Sequence, residues 1–338
     1  MDEKKVSIAV IGCGYWGPNL IRNFNSLENA KTDYVCDIDE NKTNQIKLKY
    51  PNVKVTKDYR EILADPSIDA VAIALPVLKH YQVAKDALLA GKHVLIEKPI
   101  AANSAEAEEL IQIAKEKNKL LMVDHTFEYL EAIKKTKEII DSGELGEICY
   151  IKAEWLNLGL LQQDVNVVWD LAPHIISIIN LLFNAEAKNL NAKAEGFVRQ
   201  EIPEIAQIQI KYNNGMSAYL TFSWLEPKKT RTMTIVGSKK LLLYDMTNNE
   251  EPIKVYDKNV EMIQDADKRQ PKMNYKYGDT YSPAIKNTEA LYTMTKHFAE
   301  CIQYNKQPKS DGVSGLKVIR ILEAIDKSIN EKGREVLL

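Results

Sequence analysis

The sequence predicts a two-domain chain: a doubly wound α/β domain over residues 1–124, then an α+β domain with an open, mainly antiparallel sheet over 125–338. Three observations lead there. Short, uniformly apolar runs alternate with helical stretches through the first third of the chain. Alternating runs joined by hairpin-type turns take over after residue 190. The 338 residues, 45% hydrophobic and 27% charged, have ordinary globular composition and suit about two domains of roughly 150 residues.

Six runs supply the first sheet: Val6 to Ile11, Asp33 to Asp37, Val53 to Thr56, Ala70 to Leu75, His93 to Ile96 and Leu120 to Val123. Strands that are apolar throughout fit a parallel sheet covered by helices on both sides, where neither face meets water. Gly91 stands where the C′ residue of a helix over Lys79–Ala90 belongs. Asn103 and Glu106 form an N-cap with a reaching glutamate ahead of Ala107 to Ala114. The sheet closes near Asp124. Beyond it, helical segments Tyr129–Ser142 and Pro173–Phe183 bracket a strand, Ile148 to Leu156. Alternating runs follow at Glu204 to Tyr212, Met216 to Trp224, Arg231 to Val236 and Leu241 to Asp245, with turns at Asn213-Asn214-Gly215 and Gly237-Ser238. Glu250 to Ser282 is polar, aromatic-bearing and weakly periodic, which predicts a long loop. Two helices, about Thr288–Tyr304 and Val313–Glu331, complete the pattern.

Lys and Arg total 45 against 47 Asp and Glu, a formal net charge of −2. That balance argues against a nucleic-acid or membrane-surface partner, which calls for a basic patch. No apolar run approaches the roughly 20 residues of a membrane span. Cys13, Cys36, Cys149 and Cys301 lie far apart with no CxxC pair, so reduced thiols are expected rather than a disulfide frame or zinc site. The opening Met1-Asp2-Glu3-Lys4-Lys5 lacks a signal-peptide layout, and the chain reads as cytoplasmic.

Gly12-Cys13-Gly14-Tyr15-Trp16-Gly17 is a GxGxxG turn between the first strand and a helix that opens near Gly17-Pro18. Gly12 permits the tight turn, Gly14 lets a pyrophosphate approach the backbone, and Gly17 allows close helix–strand packing. The helix N-terminus offers unpaired N–H groups to the phosphates. Asp37 follows Gly17 by 20 residues, at the end of the second strand. A carboxylate there accepts both ribose hydroxyls of NAD and repels a 2′-phosphate, and no arginine adjoins it, so NAD is expected over NADP. Tyr15 and Trp16 either contact the dinucleotide or pack.

Glu97-Lys98-Pro99 sits directly after the fifth strand, at the carboxyl edge where open α/β sheets bind ligands. Asp170 and His174, four apart, share one face of a helix, or stand at a helix entrance with Pro173 near its first position. With the glycine turn, Asp37, and Leu75-Pro76 followed by His80, this set resembles the Gfo/Idh/MocA family of oxidoreductases over essentially the whole chain. The resemblance implies a Rossmann domain whose cofactor site includes Leu75, Pro76, His80, Glu97 and Lys98, with Lys98 also contacting substrate. It makes His174 the proton acceptor for a hydroxyl under oxidation and Asp170 the group that positions substrate or imidazole, Lys98, Asp170 and His174 together forming the catalytic set. Hydride departure from carbon requires proton loss from oxygen, for which an imidazole titrating near neutrality is suited. A lysine ammonium stabilises the developing alkoxide.

The run from Asn157 to Asp170, with the GYWGPN start, resembles the sugar-nucleotide branch of that family, which works at the hexose C3 of substrates such as UDP-N-acetylglucosamine. Gln162, Gln163, Asp164 and Asn166 supply donors and acceptors for sugar hydroxyls, or form an exposed polar loop. His125, after the sixth strand, faces a substrate pocket or packs; His93 and His297 read as structural. The resulting expectation is an NAD-dependent dehydrogenase of a nucleotide-activated amino sugar. A ketoreductase of a related sugar nucleotide, a polyol dehydrogenase and a non-catalytic dinucleotide sensor are the alternatives. The open sheet has an outer face to cover, which together with the resemblance implies a homodimer or homotetramer.

Overall fold

The computed structural model describes residues 5–159, 161–162, 165–264 and 271–338. Gln163 and Asp164 lie outside the described residues. Along the chain run β1 (Val6–Ile11), α1 (Gly17–Ser26), β2 (Ala30–Cys36), α2 (Glu40–Lys49), β3 (Lys54–Thr56), α3 (Tyr59–Ala64), β4 (Ala70–Ile73), α4 (His80–Leu89), β5 (His93–Glu97), α5 (Ser104–Glu116) and β6 (Leu121–Asp124). Then come α6 (Glu131–Asp141), β7 (Ile148–Leu158), α7 (Val167–Phe183), β8 (Ala187–Glu195), β9 (Ile205–Tyr212), β10 (Ser217–Ser223), β11 (Leu225–Gly237), β12 (Leu241–Asp245), β13 (Ile253–Gln264) and β14 (Pro271–Tyr281). The last elements are α8 (Ala290–Gln303), α9 (Gly312–Asn330) and β15 (Val336–Leu337). Two compact units result: Met1–Leu130 with Thr288–Arg320, and Glu131–Asn287 with Ile321–Leu338.

The first unit holds the expected doubly wound sheet. Its strands are all parallel, in the order β3-β2-β1-β4-β5-β6, which puts the topological switch between β1 and β4. Leu20, Ile21 and Phe24 of α1 are buried with Ile8 and Val10 of β1 and with Leu291, Met294 and Phe298 of α8; Phe24 and Phe298 meet edge to face at 6.4 Å. Each such side chain contributes about 1.5–3 kcal/mol on burial. Helix ends follow their caps. Gly91, at φ +77°, ends α4 with Gly91 N–H donating to Leu88 and Lys92 N–H to Ala87. Asn103 accepts from Glu106 N–H at 2.9 Å, while the Glu106 carboxylate reaches the Ala102 N–H, one residue beyond the cap.

The second unit is built on a nine-stranded sheet, β14-β13-β12-β11-β7-β10-β9-β8-β15, antiparallel except for β7 beside β10. Alternation puts Ile151, Ala153 and Trp155 of β7, Leu220 and Phe222 of β10, and Met233 and Ile235 of β11 in the core. Helix α7 packs on β9 and β10. Tyr150 and Tyr219 remain exposed and meet edge to face at 6.0 Å.

Two expectations are corrected here. Residues 250–282 are not a loop: β13 and β14 form a long hairpin, with Val260 opposite Tyr275 and Met262 opposite Met273. Among its described residues only the base, at Ile253 and Val255, is buried; further out the backbone ladder and cross-strand pairs hold it, so no buried face imprints a period on the sequence there. Pro173 is not near the start of its helix but is the seventh residue of α7, which begins at Val167 behind an Asn166 cap. An internal proline costs about 3 kcal/mol. Burial of Ile175, Ile176, Ile178, Ile179 and Leu182 in the same helix exceeds that severalfold at about 1.5–3 kcal/mol each.

Candidate active site

In the first unit, β1 delivers the chain into the glycine turn. Gly12 has φ +100°, and a Cβ there would lie 2.2 Å from the Ala74 carbonyl oxygen. A Cβ on Gly17 would lie 2.0 Å from the Gly12 oxygen, so only glycine lets α1 start this close to β1. Gly14 has nothing within 4 Å of its Cβ position, and no side chain caps α1. Open space over the turn at the N-terminus of α1 suits a phosphate group. Asp37 braces the turn: its Oδ2 accepts from Cys13 N–H at 2.7 Å and its Oδ1 from Asp39 N–H at 2.9 Å. Tyr15 and Trp16 are both exposed, in edge-to-face contact at 5.1 Å.

At the same carboxyl edge, His80 ties two turns together. Its Nδ1 lies 2.8 Å from the Pro99 carbonyl and its Nε2 2.8 Å from that of Leu75, just before Pro76. Burial pushes the imidazole pKa down, while the two carbonyl acceptors pull the other way by favouring the protonated ring. The Lys98–Pro99 peptide is cis. Glu97 and Asp124 are direct register partners at the ends of β5 and β6, and both are buried. Next along the chain, His125 is 1% exposed with neither ring nitrogen hydrogen-bonded, and burial drives its pKa down to about 3. His93 accepts from Leu120 N–H at 3.1 Å and His297 from Lys309 N–H at 3.0 Å, both tying backbone.

In the second unit, Asn166 caps α7 by accepting from the N–H groups of Val168 and Trp169, each at 3.0 Å. Its amide also donates to Asp326, whose carboxyl burial pushes up. Both ends of the Asn166 side chain are thus engaged in holding the helix. Helical geometry then sets Asp170 and His174 on one face, one turn apart. Trp224 Nε1 donates to Asp170 Oδ2 at 3.1 Å, and the His174 ring lies against Trp155, centroids 5.2 Å apart and planes at 31°. The Arg231 guanidinium sits 4.6 Å over the same Trp155 ring; burial lowers its pKa while the Asp170 charge opposes that. Arg199, 5.9 Å over Trp224, donates to the Gln162 carbonyl at 2.5 Å and is itself held by Glu204. Gln162 is therefore anchored through its backbone.

Trp155, Trp224, Arg199 and Arg231 escaped the sequence reading. A signal existed for Arg231: it shares strand parity with Met233 and Ile235, so an arginine stands on the inward face of β11, directly opposite Trp155. Among the described residues, no group of His, Cys, Asp and Glu could hold a metal ion, and no helix is long and apolar enough to cross a membrane.

The doubly wound sheet with its braced glycine turn and the sheet domain beside it in sequence are the two parts of an NAD(P)-dependent oxidoreductase acting on CH–OH groups, as the family models that match them show. Residues 6–125 match the family model for oxidoreductases with an NAD-binding Rossmann fold, and residues 133–242 match the Gfo/Idh/MocA C-terminal domain. The chain belongs to the Gfo/Idh/MocA family. It is 24% identical to the uncharacterized oxidoreductase YrbE of Bacillus subtilis, over 96% of this chain and 95% of that one. It is 30% identical to UDP-N-acetylglucosamine 3-dehydrogenase of Acidithiobacillus ferrooxidans over 54% of this chain and 57% of that one. The solved structure of that enzyme superposes with a TM-score of 0.81 at 23% identity, covering 97% of this chain and 98% of its own. The structure of GenD2 from gentamicin A biosynthesis, in complex with NAD, superposes with a TM-score of 0.84 at 18% identity, covering 100% and 97%.

Proposed function

We propose that this protein oxidises the C3 hydroxyl of a nucleotide-activated amino sugar to a ketone with NAD, Lys98, Asp170 and His174 forming the catalytic set. The observation that carries the reading is the Asp–His pair of α7, each member fixed by a tryptophan, Asp170 by Trp224 and His174 by Trp155. The likeness to UDP-N-acetylglucosamine 3-dehydrogenase supports the substrate class.

NAD, when bound, supplies the hydride acceptor. Gly12, Gly14 and Gly17 with the N-terminus of α1 hold its phosphates, and Asp37 its adenosine ribose, which favours NAD over NADP. Leu75, Pro76, His80 and Glu97 shape the rest of that cleft, with Tyr15 and Trp16 at its rim. His174 takes the proton of the sugar hydroxyl, and Asp170 orients substrate and ring. The Lys98 ammonium stabilises the oxygen as negative charge develops. Gln162, Asn166 and His125 belong to the substrate side in this reading, Asn166 through the helix that it caps. The exposed Tyr150 and Tyr219 on the outer sheet face support a homodimer or homotetramer, and the chain works in the cytoplasm.

Reduced-nicotinamide absorbance with UDP-N-acetylglucosamine and NAD tests the reading: NADH is expected, and His174→Ala and Lys98→Ala abolish it. Failure to form NADH across pH with this and related nucleotide sugars overturns it. Oxidation of NADH by a 3-keto nucleotide sugar without the forward reaction would favour the ketoreductase.

A further inference from the structure

Glu97 and Asp124 stand opposite each other at the last register positions of β5 and β6. They are 8% and 3% exposed. Thr126 donates to Asp124 Oδ1 through both its N–H and its hydroxyl. Asp124 Oδ2 is fully buried and receives no N–H or O–H from the chain's ordinary donors. Its neighbour is the Glu97 carboxyl, within hydrogen-bond reach. Two buried carboxylates side by side repel, and an orphaned buried carboxylate oxygen is expensive. One proton removes both problems.

We propose that Glu97 and Asp124 share a single proton, Glu97 donating it to Asp124 Oδ2, so that the pair presents one negative charge to Lys98 and acts as a positioning counter-ion for its ammonium. Asp124 is the ionised member because Thr126 supplies it two donors. Burial, with the charge of Asp124 second, raises the Glu97 carboxyl well above its ordinary range. Burial also raises Asp124, against its hydrogen bonds from Thr126 and Glu97 and the charge of Lys98. His125, which also faces the Lys98 charge, is held neutral by burial, and burial pushes the His80 imidazole down as well, against its two carbonyl acceptors.

The inference deepens the function proposed above and rests on it for the role of Lys98. Infrared spectroscopy of the full chain tests the proton itself. At neutral pH the wild type shows the C=O band of a buried protonated carboxyl, and Glu97→Gln removes it. No such band, or a band that persists in Glu97→Gln, overturns the proposal. The pH profile of kcat/KM with UDP-N-acetylglucosamine and NAD tests the charge. Glu97→Gln keeps the net charge, so the basic limb stays in place even if the rate falls. Asp124→Asn removes the anion, and the basic limb moves to lower pH by about one unit, as expected for losing a nearby opposite charge. Equal limbs in the two variants overturn the proposal. If Asp124→Asn fails to fold, the double variant Glu97→Gln, Asp124→Asn, whose amides can bond each other, carries the same expectation. A protonated-carboxyl band that responds as stated in a chain that never reduces NAD supports the shared proton and overturns the catalytic reading alone.

Discussion

Replacing Asn166 separates a capping residue from a sugar-contacting one. Asn166→Ala deletes two acceptor bonds at 3.0 Å at the start of α7 and the bond to Asp326. Loss of such a cap costs about 1–2 kcal/mol. Asn166→Ser restores an N-cap oxygen and recovers most of that. Urea unfolding followed by tryptophan fluorescence is well placed to see it, because three of the four tryptophans, Trp155, Trp169 and Trp224, belong to the second unit. With a slope of about 3 kcal/mol per molar urea, the midpoint of that unit falls by about 0.3–0.7 M in the alanine variant. Asp170 and His174 ride on the same helix, so kcat falls along with stability, and Asn166→Ser returns both. An Asn166→Ala variant with an unmoved midpoint would refute the capping argument. A serine variant that is stable yet loses nucleotide-sugar affinity more than tenfold would assign Asn166 to direct contact instead.

Other expectations follow from the same geometry. Gly12→Ala forces a Cβ to within 2.2 Å of the Ala74 oxygen at a φ of +100°, so it abolishes NAD binding by calorimetry and lowers the melting temperature. Asp37→Ala loses the brace on Cys13 N–H and the charge that opposes a 2′-phosphate; NAD affinity drops about tenfold and the NAD-to-NADP preference narrows, read from the two Kd values. Trp224→Phe keeps an aromatic surface beside Arg199 but removes the donor to Asp170, lowering kcat about three- to tenfold with little change in stability. Acid sensitivity has a definite sign. His125 stays neutral down to about pH 3 when folded, whereas an unfolded histidine takes up a proton near pH 6.5. The unfolded state then binds more protons, so stability falls as pH drops below about 6.5, at up to about 1.4 kcal/mol per pH unit for this ring. Urea midpoints at several pH values should show a shallower slope in His125→Leu, and parallel slopes would count against it.

How much the sequence disclosed depended on whether burial leaves a period. The apolar strands β1, β4, β5 and β6 of the first sheet are buried on two faces and the alternating β9 to β12 on one, and each wrote that fact into its residue pattern. The β13–β14 hairpin projects past the buried base, so its backbone pairing left no such trace. The glycine turn was legible because Gly12 and Gly17 meet steric limits that no other residue satisfies. Arg231 was readable from its parity with Met233 and Ile235. The Glu97–Asp124 pairing was not: the two are 27 positions apart, and only the strand register makes them neighbours.

The strand β15 is two residues long, Val336 and Leu337 against Leu190 and Asn189 of β8. Short as it is, it shields a sheet margin whose backbone groups would otherwise recruit foreign strands, while the opposite margin, β14, carries Lys272 and Lys276 as charged deterrents. Clipping the last three residues would bare β8 and turn a solution of separate particles toward clumping, even with every ligand-binding group intact.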